Sequence, residues 1–156
     1  MASTINIRSA TLSDKSFILS LIPRLNEFGP PAWREPDMMT ATDTKILEGE
    51  ILNPPADGAI FIAENDQNIP LGFIQMNRGS DYYNKEPFAH ITNIIIAPEA
   101  EGQGIARLLI TKGEEWAREQ GFGWVTLSVF AQNTHAREVY RHLGFGEDII
   151  KCVKEI

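Results

Sequence analysis

Several features are scarce or missing in these 156 residues. The only cysteine is Cys152, so an internal disulfide is excluded and a reducing cytoplasmic compartment is expected. No apolar run approaches the roughly 20 residues that a membrane-spanning helix needs. Residues 1–8 lack the basic patch and apolar stretch of a signal peptide. We therefore expect a cytoplasmic protein with no membrane partner.

Positive charge is also scarce. Lysine and arginine number 14 against 21 acidic residues, which gives a net charge of −7. Nucleic-acid binding depends on a basic surface, so no nucleic-acid partner is expected. The acidic excess favours a cationic partner such as an amine, although it would equally serve solubility alone. Hydrophobic residues make up 43% of the chain, which is ordinary for a single globular domain over residues 1–156.

The hydrophobic pattern alternates between strand and helix periods. Together with turn residues it predicts a mixed α/β sheet with helices on its faces. The predicted strands cover residues 5–10, 59–64, 71–77, 88–97, 124–130 and 145–153, and the predicted helices cover 13–25, 37–52, 104–120 and 133–143.

The most informative stretch runs from Ile94 to Leu109. It reads as a buried strand, a turn containing Gly102 and Gly104, and the start of an amphipathic helix. Backbone N–H groups and the positive end of a helix dipole would meet there, which suits a phosphate or pyrophosphate. A P-loop string is missing, and a dinucleotide fingerprint would place Arg107 where a small residue is required. A nucleotide or dinucleotide binder using this turn is therefore a minor alternative.

Two motifs in this chain resemble those of the GNAT N-acetyltransferase superfamily. The first is the turn 101–106 after a strand and Pro98, which is similar to the family's acetyl-CoA motif R/Q-x-x-G-x-G/A. The second is N-x-x-A-x-x-x-Y followed by Gly-Phe, formed here by Asn133, Ala136, Tyr140, Gly144 and Phe145. The resemblance covers nearly the whole chain and implies a mixed, mostly antiparallel sheet of six to seven strands flanked by four helices.

The resemblance implies acetyl-CoA as the cofactor. Its contacts would come from Ile94, Ile95, Ile96, Glu101, Gly102, Gln103, Gly104, Ile105, Ala106, Arg107, Asn133, Ala136 and Tyr140. Glu101 departs from the motif, which has Arg or Gln at that position. We expect its carboxylate to turn to solvent while backbone amides hold the anion; the alternative is weaker cofactor affinity. Asn133 would serve equally well as a plain helix cap.

Acetyl transfer to an amine needs a base, alignment, oxyanion stabilisation and protonation of the departing thiolate. Tyr140 is the candidate acid for that thiolate, and it would also suit the core. The family often places a Glu on the strand before the turn, but this chain has none there. His90 is the candidate base, and Thr92 or Asn93 could instead hold a relaying water. Asp81 and Glu86 are weaker candidates.

Acceptor selection is expected from two aromatic-bearing segments, Phe28 with Trp33 and Tyr82 with Tyr83, which would face a cationic amine. They could instead be packing or dimer contacts. No metal site is expected, because His135 and His142 lie about 10.5 Å apart along a helix at 1.5 Å per residue, and both read as surface residues.

The predicted function is acetyl-CoA-dependent N-acetyltransfer to a primary amine of a small molecule or peptide, by direct attack in a ternary complex. The alternative is a non-catalytic acyl-CoA-binding regulatory module. The resemblance also makes a homodimer an expectation.

Overall fold

The computed structural model describes residues 3–156. Its strands are β1 (Asn6–Ser9), β2 (Ala59–Glu64), β3 (Pro70–Ser80), β4 (Pro87–Ile96) and β5 (Val125–Leu127), and its α-helices are α1 (Lys15–Leu21), α2 (Pro36–Leu52), α3 (Ile105–Glu119) and α4 (Thr134–His142). The strands form one sheet in sequence order, antiparallel except for the parallel pair β4 and β5. The predicted mixed, mostly antiparallel sheet with four helices is confirmed. The predicted count of six to seven strands is wrong, because residues 3–156 form five.

Helices cover both faces of the sheet, so β3 is buried without interruption from residue 71 to residue 76. Gly113 of α3 lies against Ile74 and Met76, and a Cβ added at Gly113 would come within 2.9 Å of the Met76 sulfur. A side chain at that position would force the buried Met76 side chain to shift, so glycine allows α3 to pack closely on the sheet. Because alternate residues of a strand face opposite sides, Phe73 and Gln75 point towards α1 and α2. Within residues 3–156, no helix is long and apolar enough to cross a bilayer.

The predicted helix over residues 13–25 is broken into pieces. A 3-10 turn at Leu12–Asp14 precedes α1, and a second 3-10 segment at Ile22–Asn26 follows it. Pro23 cannot donate a backbone hydrogen bond to the carbonyl four residues earlier, which interrupts the α-helical pattern. The helix therefore tightens where Ile22 and Pro23 meet, and the segment turns towards the end of β4.

A charged cluster fixes β1 to the start of α1. The Arg8 guanidinium donates to both Asp14 oxygens at 2.8 Å, and its Nε donates to Glu64 Oε2 at 2.7 Å. Asp14 and Glu64 are each only 5% exposed. Hydrogen bonding from Arg8 holds the pKa of Asp14 below its usual range.

The predicted strand over residues 145–153 is not observed. Residues 145–156 form neither helix nor strand, and Ile149 and Ile150 are 86% and 80% exposed. Arg137 of α4 holds Glu147 through two hydrogen bonds of 2.8 and 3.0 Å. An apolar segment becomes a strand only beside a partner strand, and this one has none within the described chain. The predicted strand over residues 124–130 is likewise shortened to β5.

Two irregularities shape β4. Gln75 of β3 is paired with Asn93 and Met76 with Ile91, so Thr92 is an extra residue in a β-bulge. On its other side, β4 is paired with β5 only through residues 89–91. Beyond the bulge, the edge of β4 has no partner strand among residues 3–156, and it runs directly into the glycine-containing turn.

Candidate active site

The turn between β4 and α3 presents the start of a helix to open space. Gly102 and Gly104 have φ angles of +76° and +75°, which other residues rarely adopt. Nothing lies within 4 Å of a Cβ built at either glycine. Gly104 immediately precedes α3, whose first N–H groups have no partner within the helix. The turn therefore leaves room for an anion against exposed backbone, and its role in binding one stays a prediction.

A cleft of about 360 Å³ lies between the start of α3 and α4. Its lining residues are Gly104, Ala106, Arg107, His135, Glu138, Val139, His142 and Leu143. Three of the predicted cofactor residues, Gly104, Ala106 and Arg107, thus share one concave surface. His135 and His142 are exposed, as predicted, but they also line this cleft.

Glu101 forms an ion pair with Arg24 instead of simply facing solvent. Arg24 reaches it from the 3-10 segment after α1, and the same guanidinium donates to the Ile96 carbonyl and to Glu27. These acidic partners raise the pKa of Arg24 despite its burial. Arg24 therefore offsets the carboxylate that departs from the motif, and it ties the turn to the end of β4. Sequence reasoning missed Arg24, because nothing local relates positions 24 and 101.

The candidate catalytic residues of β4 sit beside the opening between β4 and β5. His90 Nδ1 lies 2.8 Å from Thr126 Oγ1 of β5. Burial lowers the pKa of His90, which keeps the imidazole neutral near pH 7. Asn93 Nδ2 donates to Gln75 Oε1 at 2.7 Å.

Gln75 in turn donates to Glu50, a carboxylate contributed by α2. Sequence reasoning sought a carboxylate on β4 and overlooked this one. One signal was available: Glu48 and Glu50 lie in the last turns of α2, where the helix dipole disfavours acidic residues. Such a placement suggests that a carboxylate is held by something outside its own helix.

Tyr140 and Asn133 lie on α4. The Tyr140 ring packs edge-on against Phe145 with centroids 5.9 Å apart, and burial raises the pKa of its hydroxyl. A neutral phenol is thus available at physiological pH to donate a proton. Asn133 Oδ1 accepts from the Ala136 backbone at 3.1 Å, so Asn133 is a helix cap.

The two aromatic segments predicted to select the acceptor are not brought together. Phe28 and Trp33, 55% and 53% exposed, follow the 3-10 segment that contacts the end of β4. Tyr82 and Tyr83, 78% and 88% exposed, lie at the tip of the hairpin between β3 and β4. That tip is at the opposite end of β4 from the glycine-containing turn, about 30 Å away at ~3.3 Å per residue. Their roles in acceptor binding stay predictions.

Comparisons with known proteins agree with this geometry. A family model described as "Acetyltransferase (GNAT) family" matches residues 21–145. A mycothiol acetyltransferase of Rhodococcus opacus is 29% identical over 116 residues, which make up 73% of this chain and 38% of that protein. The chain therefore spans well under half the length of this curated relative.

Solved structures show the same fold. Aminoglycoside 6′-N-acetyltransferase AAC(6′)-Ih from Acinetobacter baumannii superposes with a TM-score of 0.73 at 21% identity, covering 98% of this chain and 99% of that one. Aminoglycoside N-acetyltransferase AAC(6′)-Iy, solved in complex with CoA, gives a TM-score of 0.72 at 24% identity, covering 100% of this chain and 98% of that one. At these identities the likeness concerns the fold alone.

Proposed function

We propose that this chain, which belongs to the acetyltransferase (GNAT) family, is an N-acetyltransferase that moves the acetyl group of acetyl-CoA to a primary amine of a small molecule or peptide. The observation that carries the proposal is the glycine-containing turn. Gly102 and Gly104 hold left-handed conformations in open space, so the start of α3 faces the cleft between α3 and α4. The same turn follows the unpartnered edge of β4.

These residues fit coenzyme A. Exposed backbone N–H groups from Gly102 to Arg107 would hold its diphosphate, because an unscreened helix start attracts anions. Arg107 lines the cleft, and Arg24 offsets the charge of Glu101. The unpartnered β4 edge would offer backbone groups of residues 94–96 to the extended arm of the cofactor. When bound, the cofactor supplies the thioester whose acetyl group is transferred.

Proton movements are assigned to two side chains. His90, kept neutral by burial, would accept a proton from the incoming amine, directly or through a water held at Asn93. Tyr140, kept protonated by its raised pKa, would donate to the departing thiolate. Cys152 lies in the exposed segment 145–156, outside the cleft, which favours direct attack by the amine over an acyl-cysteine.

The proposed acceptor is a cationic amine, consistent with the net charge of −7. Two matched relatives are named mycothiol acetyltransferase and aminoglycoside N(6′)-acetyltransferase. Because these names point to different acceptors, the proposal names only the class of acceptor, a primary amine. The proposed location is the cytoplasm, which the single exposed cysteine favours.

We also propose a homodimer. The free edge of β5 and the exposed Ile149 and Ile150 support it, because an apolar extended segment and an unpaired strand edge complement each other between two copies. Light scattering should give a dimer mass that falls to the monomer mass on Ile149→Asp. A monomer mass for the unaltered protein at 50 µM (about the concentration of a routine measurement) would contradict the dimer.

The function is tested by incubating the purified protein with acetyl-CoA and a panel of amines, namely kanamycin A, spermidine, phenethylamine and a lysine-containing peptide. We expect release of free thiol with at least one of them and calorimetric binding of coenzyme A. Binding without turnover on any amine would favour the non-catalytic acyl-CoA-binding module instead. Absence of binding at millimolar coenzyme A would contradict both.

A further inference from the structure

Two chains of hydrogen bonds start from Glu50 and end on the bulge of β4. In the first, Gln75 Nε2 donates to Glu50 Oε2, and Asn93 Nδ2 donates to Gln75 Oε1 at 2.7 Å. In the second, Asn77 Nδ2 donates to the same Glu50 oxygen at 3.3 Å, and Thr92 Oγ1 donates to Asn77 Oδ1 at 2.5 Å. One carboxylate on α2 thus connects to two neighbouring residues of β4.

The carboxylate sets the direction of every bond in both chains. A carboxylate only accepts hydrogen bonds, so the amides of Gln75 and Asn77 must turn their NH₂ groups towards Glu50. Their carbonyl oxygens then face β4 and require donors. Asn93 satisfies one with its NH₂ group, and Thr92 satisfies the other with its hydroxyl hydrogen. Gln75 is only 1% exposed, so reversing it would bury unmatched groups at a cost.

The bulge presents a pair of acceptors. With one N–H of its amide held by Gln75, Asn93 presents its Oδ1, and Thr92 presents the lone pairs of its hydroxyl oxygen. The bulge places these consecutive residues on the same side of β4, the side that carries Gln75 and Asn77 on β3. His90, whose cross-strand partner is Asn77, shares that side and is kept neutral by burial.

We propose that Glu50 is a positioning residue that fixes the side-chain oxygens of Asn93 and Thr92 as a pair of acceptors for the N–H groups of a cationic amine. This inference rests on the proposed function and identifies what the acceptor must bring to the site. A protonated or neutral primary amine donates to both oxygens. A carboxylate or phosphate would face these two acceptors with the charge of Glu50 behind them and is therefore disfavoured.

Kinetics of Glu50 variants test the proposal with the acceptor that gives the highest rate in the amine panel. Glu50→Leu removes the acceptor at the origin of both chains, and Glu50→Gln keeps one. We expect the KM for the amine to rise about 10- to 100-fold in Glu50→Leu and less in Glu50→Gln, with the KM for acetyl-CoA within about twofold of the unaltered protein. Glu48→Gln is the matched control, because Glu48 lies on the same helix but pairs with Lys15. An amine KM in Glu50→Gln and Glu50→Leu equal to that of the control would overturn the proposal.

Melting temperatures provide a second test, which does not require that any amine be acetylated. Asn93→Asp sets a carboxylate against the Gln75 oxygen, and we expect the melting temperature to fall by about 3–8 °C. In the Glu50→Gln background, the side-chain amides of Gln75 and Asn77 can reverse, and Gln75 can then donate to the carboxylate at position 93. At least half of the lost melting temperature should therefore return. In the Glu48→Gln background it should not. Equal losses of melting temperature in all three backgrounds would show that Glu50 does not direct the chain to Asn93.

Discussion

Gly104→Ala should separate the two consequences of a glycine at the start of α3, stability and anion binding. Gly104 has φ near +75°, where a non-glycine residue costs about 1–2 kcal/mol. For a domain of this size we expect a fall in melting temperature of about 2–8 °C. The chain offers a matched control in Gly121, which follows α3 with φ +80° and likewise has nothing within 4 Å of an added Cβ. Gly121→Ala should cost the same stability.

Of these two variants, only Gly104→Ala should bind coenzyme A more weakly. The added methyl of Gly104→Ala would occupy the open space before the first N–H groups of α3, where the diphosphate is proposed to sit. Losing one charge-assisted hydrogen bond costs about 1.5–3 kcal/mol, which raises the Kd about 10- to 150-fold. Calorimetric titration with coenzyme A measures the Kd. Thermal melting checks that the two substitutions destabilise the protein equally. If both variants bound coenzyme A equally well, the glycine-containing turn would not be the anion site.

Three further outcomes are expected. Tyr140→Phe should lower kcat at least about 10-fold while leaving the Kd of coenzyme A within about twofold, because only the proton donor is lost; an unchanged kcat would remove Tyr140 from the mechanism. His90 has a lowered pKa in the folded chain, so the unfolded chain takes up its proton first as pH falls. The free energy of unfolding should therefore decline from about pH 7 towards pH 5, and His90→Gln should flatten that decline in urea titrations; parallel curves would argue against it. Arg8→Met should cost about 3 kcal/mol in urea unfolding at pH 7, because Asp14 and Glu64 would stay buried without their cation; a loss under 1 kcal/mol would contradict this.

Features with short-range causes were predictable from the sequence. The hairpin of β2 and β3 follows from strand formers around a polar turn, and α4 follows from Asn133 as its cap. The turn at Gly102 and Gly104 follows from glycine spacing after a buried strand. In each case the feature is decided by residues that lie near one another in the sequence, so the sequence pattern is enough to predict it.

Features with distant causes were not predictable. Arg24 meets Glu101 77 positions later, and Glu50 meets Gln75 25 positions later. The apolar content of residues 145–153 indicates a strand but cannot say whether a partner strand lies alongside. The break after α1 is a different case, because its cause, Pro23, is local.

The extra residue at Thr92 has a consequence for how this strand tolerates change. Ile91 is paired with Met76 beneath α3, whereas Ile95 is paired with Phe73 on the opposite face, although four positions ordinarily return a strand to the same side. Removing Thr92 would therefore restore regular alternation, because Ile91 and Asn93 would become neighbours on opposite faces and could keep their partners Met76 and Gln75. A one-codon deletion at Thr92 should therefore be tolerated by the sheet, which would lose the contact of Thr92 with Asn77 but keep the faces of the other residues of β4.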